Sequence, residues 1–344
     1  SQAKALFPVL AGLIIGMIVG SWHNQLTEMQ MESAQQPSSL FPPAANMSKL
    51  ELALVQTHSE ETVCLEFGDA TPSSRTRPSS ADISNCLFEI KQNNYFQLLS
   101  DVLVGLPFAG GCNFASGCQP PHAPYDENLR RFGNDWPPDG YTMIGKERLA
   151  NFRAAILEVN RNNIPGAIAE FGVWRGGAMI MAAAIQKYDP SSVLPRDLYL
   201  FDAYGSFGKY GIANDFLAVP LEKVQGAFET FRLDNDNIHY VKGLFSDTVK
   251  EWVDRKDPIA VLRVDGNFYA SYQDVLYAVY ENVPVGGIVI FDDVMSHEEV
   301  MRCWKDFKEN QGIPEELVRI DQHSAWFRKT KDVKIDQSKK HSVN

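Results

Sequence analysis

Five acidic residues and one glycine-containing turn hold the chemistry this sequence could perform. The turn lies in Ala169-Glu170-Phe171-Gly172-Val173-Trp174-Arg175-Gly176-Gly177. An apolar segment leads into it, and a run of small residues, 178–185, leaves it. Strand, glycine turn and helix together present backbone N–H groups and a helix N-terminus to a ligand. Glycines suit such a turn because a Cβ would block close approach. The spacing is not Gly-x-Gly-x-x-Gly, which argues against a plain nicotinamide site. The bland alternative is a tight turn that only packs.

The acids are Glu170, Asp202, Asp265, Asp292 and Asp293, each inside or at the end of an apolar run. A single acid in that place is by default a helix cap. Several on neighbouring strand tips converge, and like charges held together are costly unless a cation sits among them. Asp265, Asp292 and Asp293 are therefore expected to ligate a hard divalent cation, with magnesium the best match to oxygen donors. Asp202 stands where the acid after the second strand of a nucleotide-binding sheet accepts hydrogen bonds from ribose hydroxyls. His297 follows Asp293 closely and is a candidate proton acceptor; the alternative is a surface residue opening a helix. His239 and His323 read as structural.

The elements that must position these residues become regular from Tyr141 onward. Residues 148–160 read as an amphipathic helix with Leu149, Phe152, Ile156 and Val159 on one face. Strands are expected at 167–173, 198–203, 238–242, 259–264, 287–291, 317–320 and 325–328. Helices are expected at 178–187, 221–231, 247–255, 272–282 and 297–310. Such alternation predicts a mostly parallel sheet covered on both faces. The last two strands have no helix between them, which predicts an antiparallel hairpin at one edge. Ligands should gather at the carboxyl ends of the strands, where the acids stand.

The rest of the chain sets bounds. It has 344 residues and a net charge of −11, which argues against nonspecific nucleic-acid binding. Five cysteines include no Cys-x-x-Cys pair. Cys64, Cys86, Cys112 and Cys118 fit two disulfides in an oxidising compartment or four unrelated thiols, with no pairing readable. Residues 5–22 carry no charge, and at about 1.5 Å per residue they reach across a bilayer. Lys4 precedes them, and Glu28 and Glu32 follow. The expectation is a type II single-pass membrane protein: a cytosolic tip at 1–4, an anchor at 5–22, and the catalytic part in a Golgi or ER lumen. A cleaved signal peptide ending near Gly20 is the rival reading. Gly12, Gly16 and Gly20 form a small-residue stripe that could pair helices in a homodimer, and Asn46-Met47-Ser48 is a glycosylation sequon. Residues 23–49 read as a stem. Residues 50–140 read as a cysteine-containing extension, with helices near 48–59 and 83–104 and irregular chain at 107–138. Residues 141–330 form the catalytic domain and 331–344 a polar tail.

At the acidic motifs the sequence resembles the macrocin O-methyltransferase (TylF-type) family, S-adenosylmethionine-dependent enzymes that methylate sugar hydroxyls. The matching residues are Tyr141-Thr142-Met143 with Arg148-Leu149, Glu170 through Gly177, Asp265-Gly266, Gly286-Gly287 through Asp292-Asp293, and Trp326. They span about residues 140–328. The resemblance implies an α/β Rossmann-like class I methyltransferase sheet of seven strands with the last strand antiparallel. It implies cofactor contacts at Glu170, Gly172, Trp174, Arg175, Gly176 and Asp202, magnesium at Asp265, Asp292 and Asp293, and Asp265 as general base, with His297 the other candidate. The chain departs from the family at Asn267, where a second aspartate is usual, and at Ala203-Tyr204 after Asp202. The expected function is membrane-anchored, magnesium-dependent methylation of a glycan hydroxyl, with the lipid bilayer and a vicinal-hydroxyl acceptor as partners. The alternatives are an inactive structural subunit of a membrane complex, and an O-methyltransferase of a catechol-like or secondary-metabolite small molecule.

Overall fold

The computed structural model describes residues 80–108, 110–111, 123–192, 195–205 and 217–340. The chain divides into two compact units, Ser1–Leu87 and Phe88–Asn344, and the sheet belongs to the second. In chain order the elements are α1 (Ser80–Leu103), α2 (Glu127–Arg131), α3 (Gly145–Arg161), β1 (Ala167–Phe171), α4 (Gly177–Tyr188), β2 (Leu198–Asp202) and α5 (Leu221–Thr230). Then come β3 (Ile238–Lys242), α6 (Phe245–Thr248), α7 (Lys250–Arg255), β4 (Ile259–Val264), α8 (Tyr269–Val279), β5 (Ile288–Phe291), α9 (Glu298–Gln311), β6 (Val318–Arg319) and β7 (Ala325–Arg328).

One seven-stranded sheet runs in the order β3-β2-β1-β4-β5-β7-β6. The first five strands are parallel, β7 runs antiparallel between β5 and β6, and the reversed hairpin forms the edge. This is the expected α/β architecture. β1, β2, β4 and β5 are buried along their whole length, as a sheet covered on both faces requires. Alternate residues feed two cores. Ile168, Leu198, Leu200, Val261, Ile288 and Ile290 pack with α3 and α4, while Phe171, Phe201, Leu262, Val264, Val289 and Phe291 pack with α8 and α9. The period-2 alternation of side chains across a strand makes the split.

Two local expectations change. Residues 247–255 do not form one helix; the chain breaks at Val249 into α6 and α7. The stretch 107–138 is not irregular throughout. Asp126 caps the five-residue α2 by accepting from the Leu129 N–H at 3.0 Å. Arg130, 1% exposed, then pairs with Asp135 and donates to the carbonyls of Val104 (2.9 Å) and Gly105 (3.0 Å). A buried guanidinium thus supplies the order that the glycines and prolines of this stretch cannot.

The expected type II placement in a Golgi or ER membrane is corrected. No helix among the described residues is long and apolar enough to cross a bilayer. The longest, α1, carries Asp82, Glu89, Lys91 and Asp101 in its 24 residues, a charge density a bilayer core does not accept. The run 5–22, the glycine stripe, the Asn46 sequon, the helix expected at 48–59, Cys64, Cys112, Cys118 and the Cys86 side chain lie outside what is described, as do residues 206–216. Cys303 is buried and free.

Candidate active site

The acids meet where the rule for open parallel sheets puts them, at the carboxyl ends of β1, β2, β4 and β5, and a cation already stands among them. Arg263 is the only charged residue in β4 and its guanidinium is 2% exposed. Register sets it directly opposite Glu170 on β1. Its Nη1 donates to Glu170 Oε1 at 2.5 Å, and its Nη2 donates to Asp292 Oδ2 at 2.5 Å. Both nitrogens lie 3.2 Å from Asp265 Oδ2. A second buried arginine, Arg148 at the start of α3, donates to Asp292 Oδ1 at 2.6 Å and pairs with Asp321 at 3.1 Å. The Ser324 hydroxyl also donates to Asp292. Asp292 is therefore committed on both oxygens.

The charges answer to this arrangement. Burial alone would raise the Asp292 carboxyl, but Arg148 and Arg263 outweigh it and hold the group well below the usual carboxylate range. Burial pushes Glu170 up to about 7, with Arg263 offsetting only part of the effect. Its second oxygen, Oε2, is buried without a hydrogen-bond partner. Burial and the neighbouring Asp292 raise Asp265 well above the carboxylate range, and the same two causes raise Asp293 to about 6. Asp265 and Asp293 keep 22% and 16% of their side chains exposed, so these two face the mouth of the site. Across the mouth, Asn267 Nδ2 donates to Asp293 Oδ2 at 3.1 Å. His297 Nδ1 stands 3.8 Å from Asp293 Oδ1.

The glycine turn is held by Asp202. One of its oxygens, Oδ2, accepts from the N–H groups of Val173 (2.9 Å) and Trp174 (3.2 Å), and Oδ1 accepts from the Tyr204 N–H at 2.9 Å. Three backbone donors on one buried carboxylate fix both the turn after β1 and the turn after β2. Gly177 needs its missing Cβ, which would fall 2.5 Å from the Tyr141 carbonyl; that carbonyl accepts from the Gly177 N–H at 2.9 Å. Gly176 has φ +82°. Arg175 does not point to a strand tip. Its Nη1 donates to the carbonyls of Pro138 and Gly140, both at 2.7 Å, and its guanidinium lies over the Trp174 ring at 4.2 Å. It clamps the segment before α3 over the turn.

Trp174, Tyr204, Asn267 and Asp293 all have φ between +48° and +60°. Left-handed backbone is unfavourable for residues with a Cβ, and it gathers where a site must present atoms in an unusual direction. All four follow the ends of the strands that carry the acids. Of the other histidines, His239 pairs with Asp197 at 2.8 Å, at the start of β2 and far from the strand tips. His323, on the β6–β7 turn, meets Asn134 Oδ1 at 2.6 Å, so the hairpin and the chain after α2 wall the site together.

The structure thus brings Glu170, Asp202, Asp265, Asp292, Asp293 and His297 to one end of the sheet. Sequence reasoning missed Arg263. The signal was present: an arginine in an otherwise apolar central strand has nowhere to point except into a charged site. The premise that clustered carboxylates require a metal is met in part by the two arginines. The donor set still suits a divalent ion of modest demand. No group of three His, Cys, Asp or Glu side chains among the described residues is arranged to hold a metal. Magnesium, however, commonly uses one or two carboxylates and completes its shell with water and substrate oxygens. Asp265 and Asp293, the two carboxylates of the cluster with exposed side-chain surface, are the residues that could hold such an ion.

The family described as Macrocin-O-methyltransferase (TylF) matches residues 115–329. The demethyldecarbamoylnovobiocin O-methyltransferase of Streptomyces niveus is 34% identical over 220 residues, covering 60% of this chain and 82% of that protein. The mycinamicin III 3''-O-methyltransferase of Micromonospora griseorubida is 32% identical over 227 residues, covering 60% of this chain and 86% of that protein. The solved structure of the O-methyltransferase NovP superimposes with a TM-score of 0.62 at 31% identity, covering 70% of this chain and 99% of that one. The two named relatives come from bacteria.

Proposed function

We propose a specific reaction for this chain, which belongs to the macrocin-O-methyltransferase family and is an S-adenosylmethionine-dependent O-methyltransferase: methyl transfer to one hydroxyl of a vicinal pair on a sugar ring carried by a small-molecule glycoside. The relatives' names describe methylation of antibiotic molecules, which favours a secondary-metabolite acceptor over a polymeric glycan. The same names set aside an inactive structural subunit. The observation that supports the reading most is the pair of outward carboxylates, Asp265 and Asp293, beside the Asp202-braced glycine turn.

The sulfonium cofactor supplies an already activated methyl group, so the chain's task is alignment and proton removal. The N–H groups of Gly172, Val173, Trp174, Gly176 and Gly177 are already bonded within the chain, so the turn offers the cofactor a fixed shape, and Glu170 Oε2, buried and unpartnered, suits the cofactor's ammonium group. Trp174 and Arg175 shape the wall of that pocket. Asp202 braces the turn and has acceptor capacity left for a ribose hydroxyl, since a carboxylate offers about four lone-pair sites. A divalent ion held by Asp265 and Asp293 would act as Lewis acid and template, lowering the pKa of a chelated hydroxyl. Asp265 accepts from Arg263 at Oδ2. Its raised proton affinity suits a general base. His297, next to Asp293, is the second candidate for that proton.

Calorimetric titration with S-adenosylhomocysteine, followed by methyl transfer to aryl glycosides bearing vicinal hydroxyls, tests the reading. Binding and transfer to a hydroxyl of the sugar ring are expected. Binding with transfer only to a phenolic hydroxyl would replace the sugar acceptor by a catechol-like one.

The metal has its own test. Asp293 is raised from 3.8 to about 6 in the folded chain. The folded state therefore holds that proton more tightly than the unfolded state. Its contribution to stability is full below the unfolded value and is lost as pH rises through about 6. Magnesium should offset that loss. Millimolar Mg2+ is expected to raise the melting temperature clearly at about pH 7.5 and little at about pH 5, where protons compete. Equal melting temperatures with and without magnesium at both values would remove the ion from the mechanism.

Asp202→Asn is expected to weaken S-adenosylhomocysteine binding about tenfold. One of the three turn N–H groups would then face an amide NH2, and hydrogen bonds to charged groups contribute about 1.5–3 kcal/mol. Calorimetry reads the affinity, and a melting curve shows whether the loss is confined to the turn.

A further inference from the structure

Arg263 touches the acids of both halves of the site. Glu170 begins the cofactor turn, whereas Asp265 and Asp292 belong to the acceptor end, and one guanidinium reaches all three. The three acids sit on the tips of three adjacent strands, β1, β4 and β5. The reach uses the planar fork of arginine, whose two terminal nitrogens serve Glu170 and Asp292 separately; a lysine ammonium gathers its three donors on one nitrogen and cannot reproduce that spacing. Arg263 also fixes one oxygen of Asp265: Nη1 and Nη2 both lie 3.2 Å from Oδ2. Among the described acids Arg148 contacts Asp292 and Asp321, and it also donates to the Phe132 carbonyl. It does not reach the cofactor turn.

We infer that Arg263 is a positioning residue for the proposed transfer: it holds Asp265 at a fixed place relative to the cofactor turn through the shared contact with Glu170, so the two halves of the site are set by one side chain. This rests on the reaction proposed above. A buried ion cluster with a structural role alone would stabilise the fold without linking the halves. Linkage predicts that a change at Glu170 alters the consequence of a change at Asp265, although these two acids lie on different strands and Arg263 stands between them.

The test is a double-mutant cycle in the full chain. Glu170→Gln, Asp265→Asn and the double variant keep shape and remove charge, and S-adenosylhomocysteine affinity is measured for each by calorimetry. The expected result is a double variant whose affinity differs at least fivefold from the product of the two single effects. The same cycle on an Arg263→Lys background is expected to be additive within about twofold. If Arg263→Lys does not fold, the first cycle decides alone. Additivity in the wild-type background overturns the inference while leaving the methyl-donor site intact. Absence of binding to the unaltered chain overturns the reaction and the inference together. With an active aryl glycoside, Arg263→Lys is further expected to lower kcat at least tenfold at saturating acceptor. An unchanged kcat in folded Arg263→Lys protein overturns the positioning role.

Discussion

Replacing Asp292 by alanine is expected to lower the melting temperature of the domain by about 10 °C, before any effect on turnover is read. The residue is 2% exposed and accepts from Arg148 at 2.6 Å, from Arg263 at 2.5 Å and from Ser324. Alanine leaves two buried guanidinium groups short of a partner. Breaking a buried ion pair by removing one member costs about 3–5 kcal/mol, because the remaining charge has no water to return to. For a domain of this size each kcal/mol moves the midpoint by about 2–4 °C. Glu170 and Asp265 can take up part of the charge of Arg263, but only Asp321 remains for Arg148. Arg148 is therefore where the loss concentrates. Calorimetric melting of the variant beside Asp293→Ala separates this role from a metal-ligand role. Asp293 touches no buried arginine and its loss should shift the midpoint by far less. Equal midpoints for the two variants would mean that Asp292 does not anchor the cluster.

That expectation differs from what the sequence alone suggests, and the difference is instructive. Asp292 and Asp293 are adjacent and chemically identical, so the pattern offers no reason to give them different tasks. The strand decides. Side chains alternate across β5, so Asp292 continues the row of Ile290 toward Arg263, while Asp293 turns out with φ +58°. Periodicity, by contrast, is local, and it makes the elements legible. β3, β4 and β7 begin and end where the apolar runs do. The reversed edge hairpin follows from the missing helix between residues 320 and 325. What stayed hidden are contacts across distance. Arg148 reaches Asp292 over 144 residues of chain, and Arg263 reaches Glu170 over 93. The positive φ of Trp174, Tyr204, Asn267 and Asp293 was equally hidden, because none of them is glycine and nothing local requires the strain. A strained non-glycine residue is visible only once the surrounding turns are built.

Gly172 shows how tightly the two halves of the site are set. Gly172→Ala is expected to reduce S-adenosylhomocysteine affinity at least about 100-fold and to lower the melting temperature as well, the scale at which ångström misplacements act. A Cβ at this position would fall 2.0 Å from the Asp265 carbonyl oxygen, and the backbone stands at φ +97°, where side chains are strained even in open space. The obstacle is backbone on both sides, so no side chain can swing away. The tips of β1 and β4 must part. That breaks the hydrogen bond from the Asp265 N–H to the Phe171 carbonyl (2.8 Å) and strains that from the Gly172 N–H to the Phe201 carbonyl (2.8 Å). The displaced segment on one side is the proposed cofactor turn, and on the other it carries Asp265. Gly226 gives the control. It lies inside α5, where an added Cβ meets nothing within 4 Å. Gly226→Ala should therefore stabilise the helix by about 0.5–1 kcal/mol and leave affinity unchanged. The same added methyl group is thus predicted to act with opposite sign at the two positions, because only Gly172 stands between the strand tips that carry the site.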